Sequence, residues 1–249
     1  MKRINKFINN IFFLKNAPKV FERNYLDINS SKSYQSYCKD LHQIDIPCWN
    51  TLSLKQRNFL EDQLAKSSPQ RVLDIGSGNG VLLQYLAKKY NFSAIGIDFA
   101  ISPKDTKSVT YLKGQFLEYQ FDSKFDVIIS IDSFYMINNY KKYFKKLLKL
   151  LHEKGRIIIH FTLTMESFEE SKIRKALKSL SLKYELVNFT QDDEDFWNNS
   201  LELLDQYNES FVDEGYFKLW NIKKMEADKN IQLHNSNNTS RLALIVERG

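Results

Sequence analysis

Two cysteines in 249 residues, Cys38 and Cys48, are too few for a disulfide framework, and they lack partners at zinc-ligand spacing. They read as reduced thiols, and no metal site is expected. Eight glycines and four prolines exclude a collagen-like or Pro/Gly-rich disordered chain. No apolar run approaches the ~20 residues that a membrane span needs. The basic start, Lys2, Arg3 and Lys6, precedes only Ile11-Phe12-Phe13-Leu14, too short for a secretory signal, so a cytoplasmic protein is expected. The remainder, 43% hydrophobic and 27% charged, is the composition of a core-forming globular chain. The formal net charge of +6 does not by itself call for an anionic partner. Much of the excess lies in Tyr140–Leu151, an amphipathic pattern with Phe144, Leu147, Leu148 and Leu151 on one face. A solvated helix face accounts for its lysines.

From Arg71 onward, short apolar runs alternate with helical patterns. Strands are expected at Arg71–Ile75, Phe92–Ile97, Val109–Leu112, Phe125–Ile131, Arg156–Phe161, Tyr184–Phe189 and Arg241–Val246. The centre of Phe125–Ile131 does not alternate, which suits a strand covered on both faces. Gly155 is expected to separate the lysine-rich helix from the fifth strand. Alternation of this kind predicts a doubly wound α/β sheet. Four regions of one domain follow: an N-terminal helical cap at 1–67, an α/β core at 68–192, a helical insertion at 193–236 and a closing strand at 237–249. In the insertion, Phe196, Trp197, Leu201, Leu204, Tyr207 and Phe211 are spaced for one helix face. Additions on this side of an α/β sheet commonly cover a ligand crevice, so the insertion is expected to act as a lid. Its acidic start, Gln191–Asp195, would leave a negative rim, with Asp192 or Asp193 capping the helix.

The informative stretch is Val72-Leu73-Asp74-Ile75-Gly76-Ser77-Gly78-Asn79-Gly80. A strand, a glycine turn and then a helix place backbone N–H groups at the switch point of the sheet, where small ligands bind. A dinucleotide site would want its third glycine or alanine at position 81, which is Val81, and no Gly-Lys-Ser/Thr marks a phosphate loop. Asp74, two residues before Gly76, would repel a pyrophosphate but suits a ligand carrying an ammonium and a sulfonium.

On these residues the chain resembles the class I S-adenosylmethionine-dependent methyltransferases, over about residues 68–190. The resemblance implies a Rossmann-like, mostly parallel seven-stranded sheet. It implies S-adenosyl-L-methionine as cofactor and S-adenosyl-L-homocysteine as product, held by Asp74, Gly76, Ser77, Gly78, Asp98, Phe99, Gln115, Phe116 and Ile131. Asp98 stands where the family places an acid on the ribose hydroxyls, and Phe99 where an apolar residue packs on the adenine. Gln115 replaces the usual Asp opposite the adenine amino group, and its carbonyl can accept the same bond. Ser130–Tyr135 resembles the end of the fourth strand beside the methionine. Leu151-His152-Glu153-Lys154-Gly155-Arg156 resembles the family's Leu-Lys-Pro-Gly-Gly corner with two replacements. Tyr34–His42, including Tyr37, together with Leu54–Arg57 and Asp195-Phe196-Trp197, is similar to flanking helices of a bacterial branch acting on small molecules.

Methyl transfer needs alignment in a dry pocket more than acid–base help. His160, near the carboxyl end of the fifth strand, is the candidate base, and a core histidine is its competing reading; His42 is a second candidate. Tyr135, Trp197 and Tyr37 are candidate walls for the acceptor, and ordinary core packing is the competing reading for aromatics at helical spacing. A small-molecule acceptor is the favoured partner. Nucleic acid is disfavoured, because no Asn/Asp-Pro-Pro-Tyr/Phe stretch or RNA-binding module is present. A lipid or quinone acceptor draws support from the apolar face Ile4, Phe7, Ile8, Ile11 and Phe12 beside basic residues, although a packed helix is favoured there. A non-catalytic partner subunit is the alternative outside the enzymes.

Overall fold

The unalternating run Phe125–Ile131 forms strand β4 and is buried over nearly its whole length, inside a seven-stranded sheet. The computed structural model describes residues 17–101 and 103–247, so the apolar and basic face read at residues 4–15 lies outside the described residues. The described residues open with helix α1 (residues 17–30), α2 (Lys32–His42) and α3 (Leu54–Ser67). The sheet portion follows as β1 (Arg71–Ile75), α4 (Val81–Tyr90), β2 (Ser93–Asp98), β3 (Val109–Lys113) and β4. A 3-10 turn at Phe134–Met136 leads to α5 (Tyr140–Leu150), β5 (Leu151–Thr164), α6 (Lys172–Ser179) and β6 (Tyr184–Asn188). Two long helices, α7 (Thr190–Asp213) and α8 (Phe217–Asn235), precede β7 (Thr239–Glu247).

Strand order is β3-β2-β1-β4-β5-β7-β6. All neighbours from β3 to β5 pair in parallel, and β7 runs antiparallel to both β5 and β6. The reversal of strand order at β1 and β4 opens a crevice at their carboxyl ends, the usual ligand position in such sheets.

Short polar side chains start the helices. Ser31, Ser53, Asn139 and Ser171 each accept a hydrogen bond from the backbone N–H three residues on, capping α2, α3, α5 and α6. One side of the sheet is covered by α5 and α6, whose Phe144, Leu147, Ile173 and Leu177 pack on Ile128, Ile157 and Ile159. On the other side, Leu60 and Leu64 of α3 and Leu83 and Leu86 of α4 pack on Val72, Ile129 and Ile158. A third cluster, away from the sheet, joins α1 and α2 to α7 and α8 through Tyr34, Tyr37, Trp197, Phe211 and Trp220.

Two local expectations are corrected. Strand β5 begins at Leu151, so Gly155 lies within it rather than ahead of it. The corner is made by Lys154 in the left-handed region (φ 62°), with a register shift opposite Phe125–Val127. Gly155 is small for a packing reason: a Cβ there would stand 3.1 Å from the Asp126 carbonyl. At α7 the N-cap is Phe189, and neither Asp192 nor Asp193 caps. Asp192 accepts from Ser53 Oγ and Gln56 Nε2. Asp193 is buried and takes bonds from Trp197 Nε1 (3.1 Å) and His234 Nε2 (3.0 Å). Asp192 and Asp193 are thus used inside the protein, while Glu194 is half-buried and Asp195 exposed.

Candidate active site

The loop after β1 is held from three sides. Gly76 N–H donates to the Ile97 carbonyl (2.8 Å), tying the loop to β2. Ser133 Oγ, after β4, donates to the Ile75 carbonyl (2.8 Å) and lies 2.7 Å from Ser130 Oγ. Asn79 Nδ2 donates to Asn29 Oδ1 (2.8 Å) and the Pro47 carbonyl (2.7 Å), reaching α1 and the segment after α2. Gly76 has φ +81°, and a Cβ there would stand 2.3 Å from Ser133 Cβ, so glycine is required twice over.

This loop forms the floor of a cavity of about 660 Å³. Asp74 and Asp98 stand together in it. Asp98 accepts from the N–H groups of Gly78 (3.1 Å) and Ala100 (2.8 Å), which orient its carboxylate. Burial nevertheless raises its pKa above the usual carboxylate range. Asp74 is equally buried, and one of its oxygens, Oδ1, has no hydrogen-bond partner. Burial first, and the Asp98 charge second, push its pKa up to about 8. A buried carboxylate in that condition lacks a cation. An ammonium beside Asp74 and hydroxyl donors beside Asp98 would satisfy the pair, so these residues fit an amino-acid nucleoside such as S-adenosylmethionine. Phe99, Gln115, Phe116 and Leu117 make the wall beyond Asp98, fit for a flat base, and Ile131 lies at the end of β4.

The opposite wall comes from the N-terminal helices. Pro18, Phe21 and Tyr25 of α1, and Cys48, Trp49 and Asn50 from the segment between α2 and α3, face the cavity. Phe21 meets Phe99 edge to face at 5.6 Å. Lys223 of α8 lies behind Trp49, its Nζ 4.6 Å from the ring centroid and paired with Glu226 at 2.5 Å. Asp132 closes the wall after β4, with φ 51°.

All nine residues expected on the cofactor, Asp74, Gly76, Ser77, Gly78, Asp98, Phe99, Gln115, Phe116 and Ile131, line this one cavity. Tyr135 lines it too, at 60% exposure. Four candidate residues, Trp197, Tyr37, His160 and His42, do not. Trp197 is buried in the α7 cluster, with its indole N–H on Asp193. Tyr37 is buried, its hydroxyl 2.7 Å from Ser200 Oγ. His160 is fully buried between Phe59 and Phe189, and neither ring nitrogen has a hydrogen-bond partner. Burial beside Arg241 holds its pKa down to about 3, so it is a neutral core residue and not a base facing the cavity. His42 is buried on the Leu52 carbonyl and held down to about 4. Nor do the helices of the insertion line the cavity: among the described residues its cover is α1 and Cys48–Asn50, and α7 and α8 pack behind. Tyr25, Phe21, Trp49 and Asp132 escaped the sequence reading. Only Asp132, inside the recognised Ser130–Tyr135 stretch, carried a local signal.

A family model described as a methyltransferase domain matches residues 51–210. A chain of Invertebrate iridescent virus 6 assigned as a methyltransferase, 235L, is 27% identical over 212 residues, covering 77% of this chain and 76% of that protein. The malonyl-[acyl-carrier protein] O-methyltransferase of Priestia megaterium is 27% identical over 209 residues, covering 80% and 71%. Among solved structures, a phosphoethanolamine N-methyltransferase of Haemonchus contortus, in complex with phosphomonomethylethanolamine and S-adenosylhomocysteine, superposes with a TM-score of 0.69 at 17% identity. It covers 91% of this chain, which spans 60% of that structure's length.

Proposed function

The chain belongs to the methyltransferase domain family, as a class I S-adenosylmethionine-dependent enzyme, and we propose that its cavity transfers a methyl group to an enclosed small-molecule acceptor. The observation that carries this reading is the division of one cavity into two unlike halves. One half holds paired carboxylates above a glycine loop and is roofed by Phe21 and Tyr25; the other is walled by Trp49 and Tyr135. S-adenosylmethionine, when bound, supplies a methyl group already activated on a sulfonium.

Asp74 and the loop N–H groups bind the amino-acid end, Asp98 the ribose, and Phe99, Gln115 and Phe116 the adenine. Tyr25, lying on Gly78, and Phe21, lying on Phe99, exclude water from above. The remaining work is to align an acceptor nitrogen, oxygen or carbon for in-line displacement. With His160 and His42 turned into the core, an acceptor that arrives with a free lone pair fits this wall better than one needing a histidine base.

The relatives act, by their names, on a carrier-bound malonyl group and on a phosphoethanolamine, so they do not converge on one acceptor. Lipid, quinone or nucleic-acid acceptors are the competing classes, and a non-catalytic subunit is the reading outside enzymes. The deciding experiment offers labelled S-adenosylmethionine to the protein with a small-metabolite extract, purified RNA and lipid vesicles in parallel. Label in the extract alone is expected. Label in RNA or lipid alone overturns the small-molecule reading, and no label anywhere, despite cofactor binding, favours the non-catalytic one.

A further inference from the structure

A buried, multiply paired charge lies outside the cavity. Arg241, on β7, is 0% exposed. Its Nε donates to Gln56 Oε1 of α3 (2.7 Å), and its Nη1 donates to Thr162 Oγ1 of β5 (3.2 Å) and to Asp132 Oδ1. Asp193 Oδ1 of α7 lies 3.8 Å from Nε. The other oxygen of Asp132 accepts from both the N–H (2.8 Å) and the Oγ1 (2.9 Å) of Thr51. Thr51 directly follows Cys48, Trp49 and Asn50, which line the cavity. Asp132 is also held in the left-handed region, a conformation that costs a non-glycine residue energy and persists where its surroundings over-determine it.

We propose that Arg241 is a positioning residue for the acceptor wall: by holding the Asp132 carboxylate in place it anchors Thr51 and thereby sets Cys48–Asn50 against the cofactor half of the cavity. The inference rests on the reading of this cavity as the methyl-transfer site. Nothing in it requires Arg241 to touch cofactor or acceptor. A buried guanidinium is costly unless paired, and here Nε and Nη1 draw partners from α3, β5, α7 and the segment after β4, while Nη2 has none.

The charged and titratable groups that face Asp132 define what removing Arg241 does. From β7 comes Arg241, from β5 His160, from α2 His42 and from the 3-10 turn Tyr135, while Asp192 and Asp193 of α7 act on Arg241. Both histidines are held neutral by burial, so Arg241 is the cation that keeps Asp132 ionised. Without it, only the two Thr51 hydrogen bonds oppose the burial of Asp132, which then titrates at higher pH.

The test follows the Thr51 backbone amide by nuclear magnetic resonance in the unliganded full chain across about pH 5–8. The wild type is expected to give a flat profile, Arg241→Gln a titration step, and Arg241→Gln/Asp132→Asn no step. In the same preparations, labelled-methyl transfer to a small-metabolite extract is expected to fall by ~10-fold or more in Arg241→Gln. S-adenosylhomocysteine affinity should stay within about threefold, because the cofactor half does not share these contacts. A flat Thr51 profile in folded Arg241→Gln, a step surviving in the double variant, or unchanged transfer overturns the proposal. If Arg241→Gln does not fold, Thr51→Val takes its place. It is expected to lose transfer with S-adenosylhomocysteine binding retained, and full transfer overturns the proposal. Failure of the wild type to bind S-adenosylhomocysteine, by contrast, overturns the methyl-transfer reading itself, and the Thr51 titration still decides whether Arg241 sets the wall.

Discussion

The phenol of Tyr25 rests on Gly78, so close that a Cβ on that glycine would stand 3.2 Å from both its hydroxyl oxygen and a ring carbon. Residues 53 positions apart thus form the two jaws of one cleft, and the glycine has φ +55° as well. Gly78→Ala is expected to cost about 1–2 kcal/mol from backbone strain alone and to lift Tyr25 off the loop. Gly215→Ala is the matched control, since Gly215 has φ +78° but open space around it. Thermal unfolding should show destabilisation in both. S-adenosylhomocysteine binding should weaken in Gly78→Ala alone.

Asp98→Ala removes the carboxylate that Gly78 and Ala100 hold in orientation. Loss of a charged acceptor for two hydroxyls is expected to weaken S-adenosylhomocysteine binding by ~1.5–3 kcal/mol, or roughly 10–150-fold. Calorimetry on the folded variant checks this. Unchanged affinity would remove Asp98 from the site.

The pKa of Asp74, raised to about 8, makes a signed prediction. In the unfolded chain the group ionises near ~3.9, so between about pH 4 and 8 the native state binds more protons. This site's contribution to stability is therefore full below about pH 4 and is lost as pH rises through 8. Asp74→Asn should flatten that slope in chemical-denaturation curves of the unliganded protein. An ammonium ligand prefers the ionised form, so binding near pH 7 should release a proton, visible as a buffer-dependent calorimetric enthalpy.

His160 gives the opposite slope. Its folded pKa of about 3 lies below the ordinary ~6.5, so the unfolded state binds the extra proton and stability falls as pH drops from about 6.5 towards 3. Because neither ring nitrogen has a partner, His160→Leu should be neutral or stabilising near neutrality and should reduce acid sensitivity. Cofactor affinity should not change. A loss of methyl transfer with binding intact would return His160 to the chemistry.

The cofactor half of the site was legible because its signals are local. Asp74, Gly76 and Gly78 lie within five residues, and Asp98 ends the next strand, so strand pairing alone brings them together. The acceptor half has no such economy. Tyr25 reaches Gly78, and Arg241 reaches Asp132, through packing of elements that no short spacing links. Trp197 and Tyr37 misled for a related reason: an aromatic at helical spacing looks the same whether its face meets a ligand or, as here, α2 meets α7. The strands were legible in number and order along the chain, and β1 and β4 to their ends, whereas β5 and β7 run longer than expected at both ends. At the β5 corner Lys154 has the positive φ, while Gly155 packs close to the His152 and Asp126 carbonyls.

Strand β7 is the last of the seven to leave the ribosome, yet it inserts between β5 and β6 rather than adding to an edge. Until it emerges, β5 exposes one unpaired flank of its ladder and β6 has no strand neighbour in the sheet. A nascent chain can assemble β1 to β5 with their glycine loop while the Arg241 pocket beside Asp132 is still empty. On the proposal that Arg241 sets the wall, the wall opposite the glycine loop is fixed only once β7 has inserted between β5 and β6. A stalled or truncated translation product ending before Thr239 would carry the nucleoside-binding loop with an open strand flank, the kind of species that chaperones retain and proteases clear.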